Sequence, residues 1–217
     1  MNELRLTSIL CAFEFSRAGT ALVRYASCLA IRMDAQLTLL HVASATGLEL
    51  SMLRPVAEDT TRFARIRNHP LRYEMESYPG EGPIGEAARL ARRENFDLLI
   101  LPTPRRGMLR RWMGLEPAGA RLLSALECPV ITAATLSLPG HAGNMDTILC
   151  ATRAKAPDNR VLDAATGLAK RFGAGLHVVD KDPILAARRM EASLIVTGRE
   201  SNGLMFSDQG VCPVLSV

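Results

Sequence analysis

The sequence predicts an α/β fold built on parallel strands, present twice, with the second copy cut down. Three observations carry this. Short apolar runs alternate with segments of helical periodicity from residue 7 to 133, the pattern of strands covered on both faces by helices. The same blocks then return in the same order at 147–217. Between the copies lies "LSLPGHAGNMD" (136–146), rich in Pro and Gly as linkers are.

The elements follow in order. "TSILCAF" (7–13) is a short apolar run suited to a doubly covered strand. Ser16 can cap a helix running to about Met33, with Ala18, Leu22, Tyr25, Ala26, Leu29 and Ala30 at helical spacing. "QLTLLHVA" (36–43) is the next strand, and 49–67 reads as a weaker helix with Pro55 early in it. "LRYEMESY" (71–78) alternates, with Arg72, Glu74 and Glu76, as an edge strand does. Pro83 suits the first turn of a helix to about Asn95. "DLLIL" (97–101) is a strand, 116–126 a helix, and "CPVITA" (128–133) a last strand.

The repeat is explicit. "SILCA" at 8 returns as "TILCA" at 147, "LHV" at 40 returns at 176, and "PI" at 83 returns at 183. "LLIL" at 98 returns as "LIV" at 194, and "CPV" at 128 returns at 212. The offset falls from 139 to 136, 100, 96 and 84. The second copy has therefore lost about 36 residues after its second strand and about 12 before its last. The expected division is a complete domain at 1–135, a linker at 136–146 and a truncated domain at 147–217.

Composition excludes several classes. The chain of 217 residues is 48% hydrophobic and 22% charged, as ordinary globular proteins are. Its net charge of +4 admits anionic ligands without demanding nucleic acid. Arginine supplies 23 of the 26 basic residues, yet "RRGMLRR" lacks interleaved aromatics, so nucleic acid is not the expected partner. No apolar run reaches about 18 residues, so no membrane span is expected. "LTSILCAF" is too short and too soon charged again for a signal peptide. Five cysteines without CxxC or zinc-ligand spacing read as reduced core residues of a cytoplasmic protein. His41 and His177 sit at matching places in the repeated "LHV" and read as structural. No G-x-S-x-G, H-E-x-x-H or Walker loop is present, so no reaction is assigned. "GEGPIG" (80–85) spells G-x-G-x-x-G. It follows the third strand of its unit, and no acid stands at the next strand's end, so NAD is not expected.

The blocks "ILCAFEFSRAGTALVRYASCLAIRMDAQLTLLHVA", "GEGPIGEAARLARRENFDLLIL" and "ECPVITA" resemble the universal stress protein family over 7–133, and a degenerate version covers 146–217. The resemblance implies two parallel-sheet domains of that type in tandem, the second shortened. It further implies association through the last strands, here within one chain, besides homodimers. In some members it implies ATP held at the strand ends. Those members carry an Asp after the first strand and a G-x2-G-x9-G-[ST] loop after the fourth. Here the Asp position is Glu14, the first loop glycine is Pro102, and the second falls near Arg105 with the spacing one residue short. Gly114 matches the last glycine, but Leu115 replaces the hydroxyl. Pro102 has no N–H to donate. The resemblance makes Ala12, Glu14, Val42, Arg105, Arg106, Gly107 and Gly114 the candidate nucleotide contacts. The arginines could grip phosphate by side-chain forks, or form a solvated loop and helix face. In the second copy the Asp position is Arg153, and no helix follows "TGRESNGLMF" to face a phosphate. The expected function is a non-enzymatic stress-response or regulatory module with a degraded nucleotide site. The alternative is an ATP-dependent switch or slow ATPase.

Overall fold

A computed structural model describes residues 6–13, 17–43, 71–77, 82–102, 126–133, 145–152, 159–199 and 211–217. Elements run β1 (Ser8–Phe13), α1 (Arg17–Met33), β2 (Gln36–Ala43), β3 (Leu71–Ser77), α2 (Gly82–Arg93), β4 (Leu98–Pro102) and β5 (Val130–Ala133). The second half follows with β6 (Thr147–Ala151), α3 (Asn159–Phe172), β7 (Gly175–Val179), α4 (Pro183–Arg189), β8 (Leu194–Thr197) and β9 (Val214–Ser216). The helices expected over 49–67 and 116–126 fall outside the described residues, apart from Leu126, which is not helical.

The nine strands of the described residues join one sheet in the order β3-β2-β1-β4-β5-β9-β8-β6-β7. Neighbours are parallel except β5 and β9, which run antiparallel with Val130 opposite Ser216 and Thr132 opposite Val214. One face is covered by α1 and α3. Leu22, Tyr25, Ala26, Leu29 and Ala30 of α1 share a core with Val161, Ala164, Ala165 and Leu168 of α3. On the other face, Ala87, Ala88, Leu90 and Ala91 of α2 pack over Leu10, Leu40, Leu99 and Leu101. Strands with both faces buried need the near-continuous apolar runs that the sequence carries.

The two halves repeat their backbone hydrogen bonds. α1 closes with Ala35 N on Ala30 O (2.9 Å) and Asp34 at φ 54°, and α3 closes with Ala174 N on Ala169 O (2.9 Å) and Gly173 at φ 66°. α2 stops at Arg93, before the expected Asn95. Asn95 takes φ 53° and Phe96 N closes on Ala91 O (3.0 Å), a left-handed cap that Glu191 and Ala192 copy after α4. β5 and β9 begin two residues later than expected because Pro129 and Pro213 contribute only their oxygens, to Leu99 N and Ile195 N, each at 3.0 Å.

Register corrects one expectation. Gln36 pairs with Ser8, and Gly175 pairs with Thr147, so β7 keeps the 139-residue offset of β6. The repeated "LHV" is therefore a coincidence displaced by three residues, and the offset drops from 139 to 100 in one step. His41 lies opposite Phe13 and is buried, whereas His177 lies opposite Leu149 and is exposed. His177 is the counterpart of Thr38.

Candidate functional site

Ligands of parallel α/β sheets bind outside the carboxyl ends of the strands, where neighbouring connections leave on opposite faces. In the first half that place lies between β1 and β4, where the strand order β3-β2-β1-β4-β5 reverses direction. The strand ends that meet there are Ala12, 2% exposed, and Phe13 on β1 and the buried Leu101 and Pro102 on β4. Pro102 pairs in register with Ala133 of β5. On β2, His41 approaches the main-chain oxygen of Phe13 with Nδ1 at 3.4 Å, and the two rings lie 5.8 Å apart at 51°. A buried imidazole held this way buttresses the end of β1. On β5, opposite Leu101 of β4, Thr132 is 3% exposed, and its hydroxyl has no hydrogen-bond partner among the described residues.

Of the sequence candidates, Ala12 and Val42 sit on adjacent strands at this end, with the Val42 backbone paired to Glu76 of β3. Glu14, Arg105, Arg106, Gly107 and Gly114 lie outside the described residues.

The corresponding end of the second half is formed by Ala151 and Thr152 at the end of β6 and by Thr197, Gly198 and Arg199 at the end of β8. Thr152 N donates to Val179 O at 3.0 Å, while its hydroxyl is buried without a partner among the described residues. Thr197 is fully buried. Arg199 turns towards the first half, where its Nη2 donates to the main-chain oxygen of Cys128. Sequence reasoning did not find this contact, because only the β5–β9 pairing brings the two residues together.

A second concavity lies at the opposite edge, at the amino ends of β4 and β5. It is a cleft of about 460 Å³ lined by Arg92, Asn95, Asp97, Glu127 and Cys128 among others. The topology nevertheless favours the carboxyl ends of β1 and β4 as the ligand site, because the strand ends there supply the diverging backbone that ligands use. Asp97 serves the fold. Its Oδ2 accepts from Thr7 N (2.8 Å), Thr7 Oγ1 (2.7 Å), Ser8 N (2.9 Å) and Ser8 Oγ (3.1 Å). Burial raises its pKa, but these bonds outweigh burial and hold the carboxyl below its ordinary value. In the second half Ser193 Oγ does the same for Asp146 N and Thr147 N, at 3.2 and 3.5 Å.

Burial pushes the Cys11 thiol far up and that of Cys212 to about 12, so both stay protonated and unreactive at neutral pH. No disulfide joins the five cysteines. Among the described residues no group of three or more His, Cys, Asp or Glu could hold a metal, and no helix is long and apolar enough to cross a membrane.

Comparison with known proteins agrees with this architecture. The chain matches a universal stress protein from Archaeoglobus fulgidus DSM 4304 at 13% identity and TM-score 0.65, covering 98% of this chain and 96% of that one. It matches a functionally unknown protein from Pseudomonas aeruginosa PAO1 at 17% identity and TM-score 0.65, covering 99% and 93%. At these identities the likeness shows the fold alone. No curated protein matches the chain. The universal stress protein family profile matches residues 6–133, which are more than half of the sequence. The chain belongs to the universal stress protein family.

Proposed function

We propose that this protein is a stress-response or regulatory module that works by binding and interaction rather than catalysis, with a degraded nucleotide site. Pro102 carries the reading. It ends β4 where a phosphate-binding loop needs a flexible residue with an N–H, and it is buried and paired in register with Ala133. The contact of Arg199 with Cys128 supports it, because the cation of the second half's loop is spent on joining the halves.

The same reading takes the chain as a tandem, 1–135 and 147–217, whose truncated second unit survives as the strand partner of β5. The repeated caps, the shared 139-residue register and the β5–β9 ladder support it. The protein then works in the cytoplasm with reduced cysteines, and neither membrane nor nucleic acid is a partner.

A second reading rests on the crevice itself, which stands at the topological switch point between β1 and β4. There Ala12, Glu14, Val42 and the arginine loop would hold ATP or another adenine nucleotide in a switch or slow ATPase. Thermal-shift titration of the whole chain with ATP, AMP and cyclic AMP separates the two. No stabilisation at millimolar nucleotide is expected. A ligand present at about 100 times its Kd would add about 2.7 kcal/mol, and a shift of that size would establish the second reading.

A further inference from the structure

The sheet has two ends, β3 and β7, and they are built differently. β2 is covered by β3 along its length, from Leu37 opposite Leu71 to Ala43 opposite Ser77. Its counterpart β7 pairs with β6, and among the described residues no strand lies on its other side. β3 carries Arg72, Glu74 and Glu76, charges of the kind that keep edges from pairing, but β7, "GLHVV", carries no acidic, Lys or Arg residue. Among the described residues the exposed large hydrophobics are Val178 (56%), Leu185 (43%) and Met190 (38%), all on β7, α4 or the residue after α4.

The backbone fixes which groups this edge offers. Gly175 N donates to Asp146 O and Thr152 N donates to Val179 O, so residues 175, 177 and 179 direct their peptide groups at β6. Leu176 and Val178, which alternate with them, present N–H and C=O outward. Two outward residues flanking His177 are what a two-fold antiparallel pair requires. Leu176 of one copy exchanges both hydrogen bonds with Val178 of the other, and the two copies of His177 meet at the closer, non-hydrogen-bonded position.

Charge selects the antiparallel sense. Lys170 and Arg171 precede β7, and Asp180, Lys181 and Asp182, together net negative, follow it. Antiparallel pairing brings the basic end of one strand to the acidic end of the other, whereas a parallel strand would set like charges side by side. We propose that two copies of this chain pair edge to edge through β7, antiparallel and centred on His177, joining their sheets into one. The contact closes on itself, so it gives a dimer and not a filament. A ladder of five residues buries less than the roughly 1,200 Å² of a standard stable interface, so the dimer forms only at high protein concentration.

Sedimentation of the full chain over a concentration series, with two variants, tests this. Val178→Pro removes an N–H that faces outward and leaves the bonds to β6, so it should keep the far-ultraviolet circular dichroism and abolish the dimer. His177→Cys should give a disulfide-linked dimer on mild oxidation, since facing non-hydrogen-bonded residues lie within disulfide reach. Val179→Cys, opposite Gly175 of the partner subunit, should not. Wild-type protein that stays monomeric up to high micromolar concentration overturns the proposal, as does a dimer that Val178→Pro leaves intact. Should Val178→Pro unfold, the absence of a cross-link in His177→Cys overturns it alone.

Discussion

The guanidinium of Arg199, in the second half of the chain, donates from Nη2 to the main-chain oxygen of Cys128 in the first. Arg199 N also donates to Val217 O at 3.3 Å, so one residue ties the end of β8, the end of β9 and the entry to β5. Burial lowers the Arg199 pKa, partly offset by Cys128, yet arginine remains charged at any pH of interest. Arg199→Ala should cost about 1.5–3 kcal/mol, the range for hydrogen bonds made by charged groups. Arg199→Lys should recover part of that, because the ammonium lacks the planar fork. Urea denaturation of the full chain reads both, and an unchanged midpoint in Arg199→Ala would refute the tie.

Asp97 gives the fold a pH dependence whose sign can be worked out. Its folded pKa lies below the ordinary carboxylate value because the bonds from Thr7 and Ser8 outweigh burial. The unfolded chain therefore takes up the proton first as pH falls. The contribution is fully present above the unfolded value of about 3.9, and it is lost as pH falls from there through the folded value. Asp97 is only partly buried, so solvent screens the interaction and the effect is modest. Asp97→Asn should destabilise by about 1 kcal/mol at neutral pH, and the difference from wild type should close below about pH 4. A difference that does not begin to narrow as pH falls below about 4 would show that the carboxylate charge is not responsible.

The matched helix ends offer a paired test. Asp34 (φ 54°) and Gly173 (φ 66°) occupy the same cap, and a Cβ on Gly173 would meet nothing within 4 Å. The cost of a side chain there is purely conformational. Gly173→Ala should destabilise by about 1 kcal/mol, and Asp34→Gly should stabilise by a similar or smaller amount. Differential scanning calorimetry of the two variants should show melting temperatures moving in opposite directions.

The strands were legible in the sequence to within one or two residues, because a strand buried on both faces must be an apolar run. "ILCA", "LLIL" and "VITA" could be little else. The register of β7 was not legible. A three-residue identity, "LHV", suggested an offset of 136, while the cap residues Asp34 and Gly173, chemically unlike, set it at 139. Asp97 and Ser193 share a place and a task without sharing a side chain. Arg199 had no local signal at all, since its partner lies 71 positions away across an antiparallel pair. At the crevice, the loss of an N–H at Pro102 could be read directly, but the buried hydroxyls of Thr132 and Thr152 depend on strand neighbours.

If the second reading holds and Arg105 and Arg106 grip a phosphate, Arg105→Ala with Arg106→Ala should weaken nucleotide binding by about 1–3 kcal/mol for each charge-assisted hydrogen bond removed. Isothermal titration of wild type and variant would show it. Equal affinities in the two would leave the arginines as a solvated face.

The last prediction concerns what β9 does for β5. Val130, Ile131 and Ala133 are at most 5% exposed, with β4 on one side of their strand and β9 on the other. Removing the second half strips β9 away and leaves an uncharged apolar strand, "VITA", as a bare edge. Such an edge presents unpaired N–H and C=O groups beside apolar side chains, and it pairs with whatever strand it meets. A segment of about 11 residues spans at most roughly 35 Å, so in the full chain β9 is held close to β5 and competes with any intermolecular partner. A fragment of residues 1–135 should therefore self-associate through β5, and Ile131→Lys in that fragment should restore the monomer at some cost in stability. Analytical ultracentrifugation of the fragment beside the full chain decides the matter. A fragment as monomeric and soluble as the full chain would mean that β9 is dispensable as an edge cover, and that the second half is kept for some other contact.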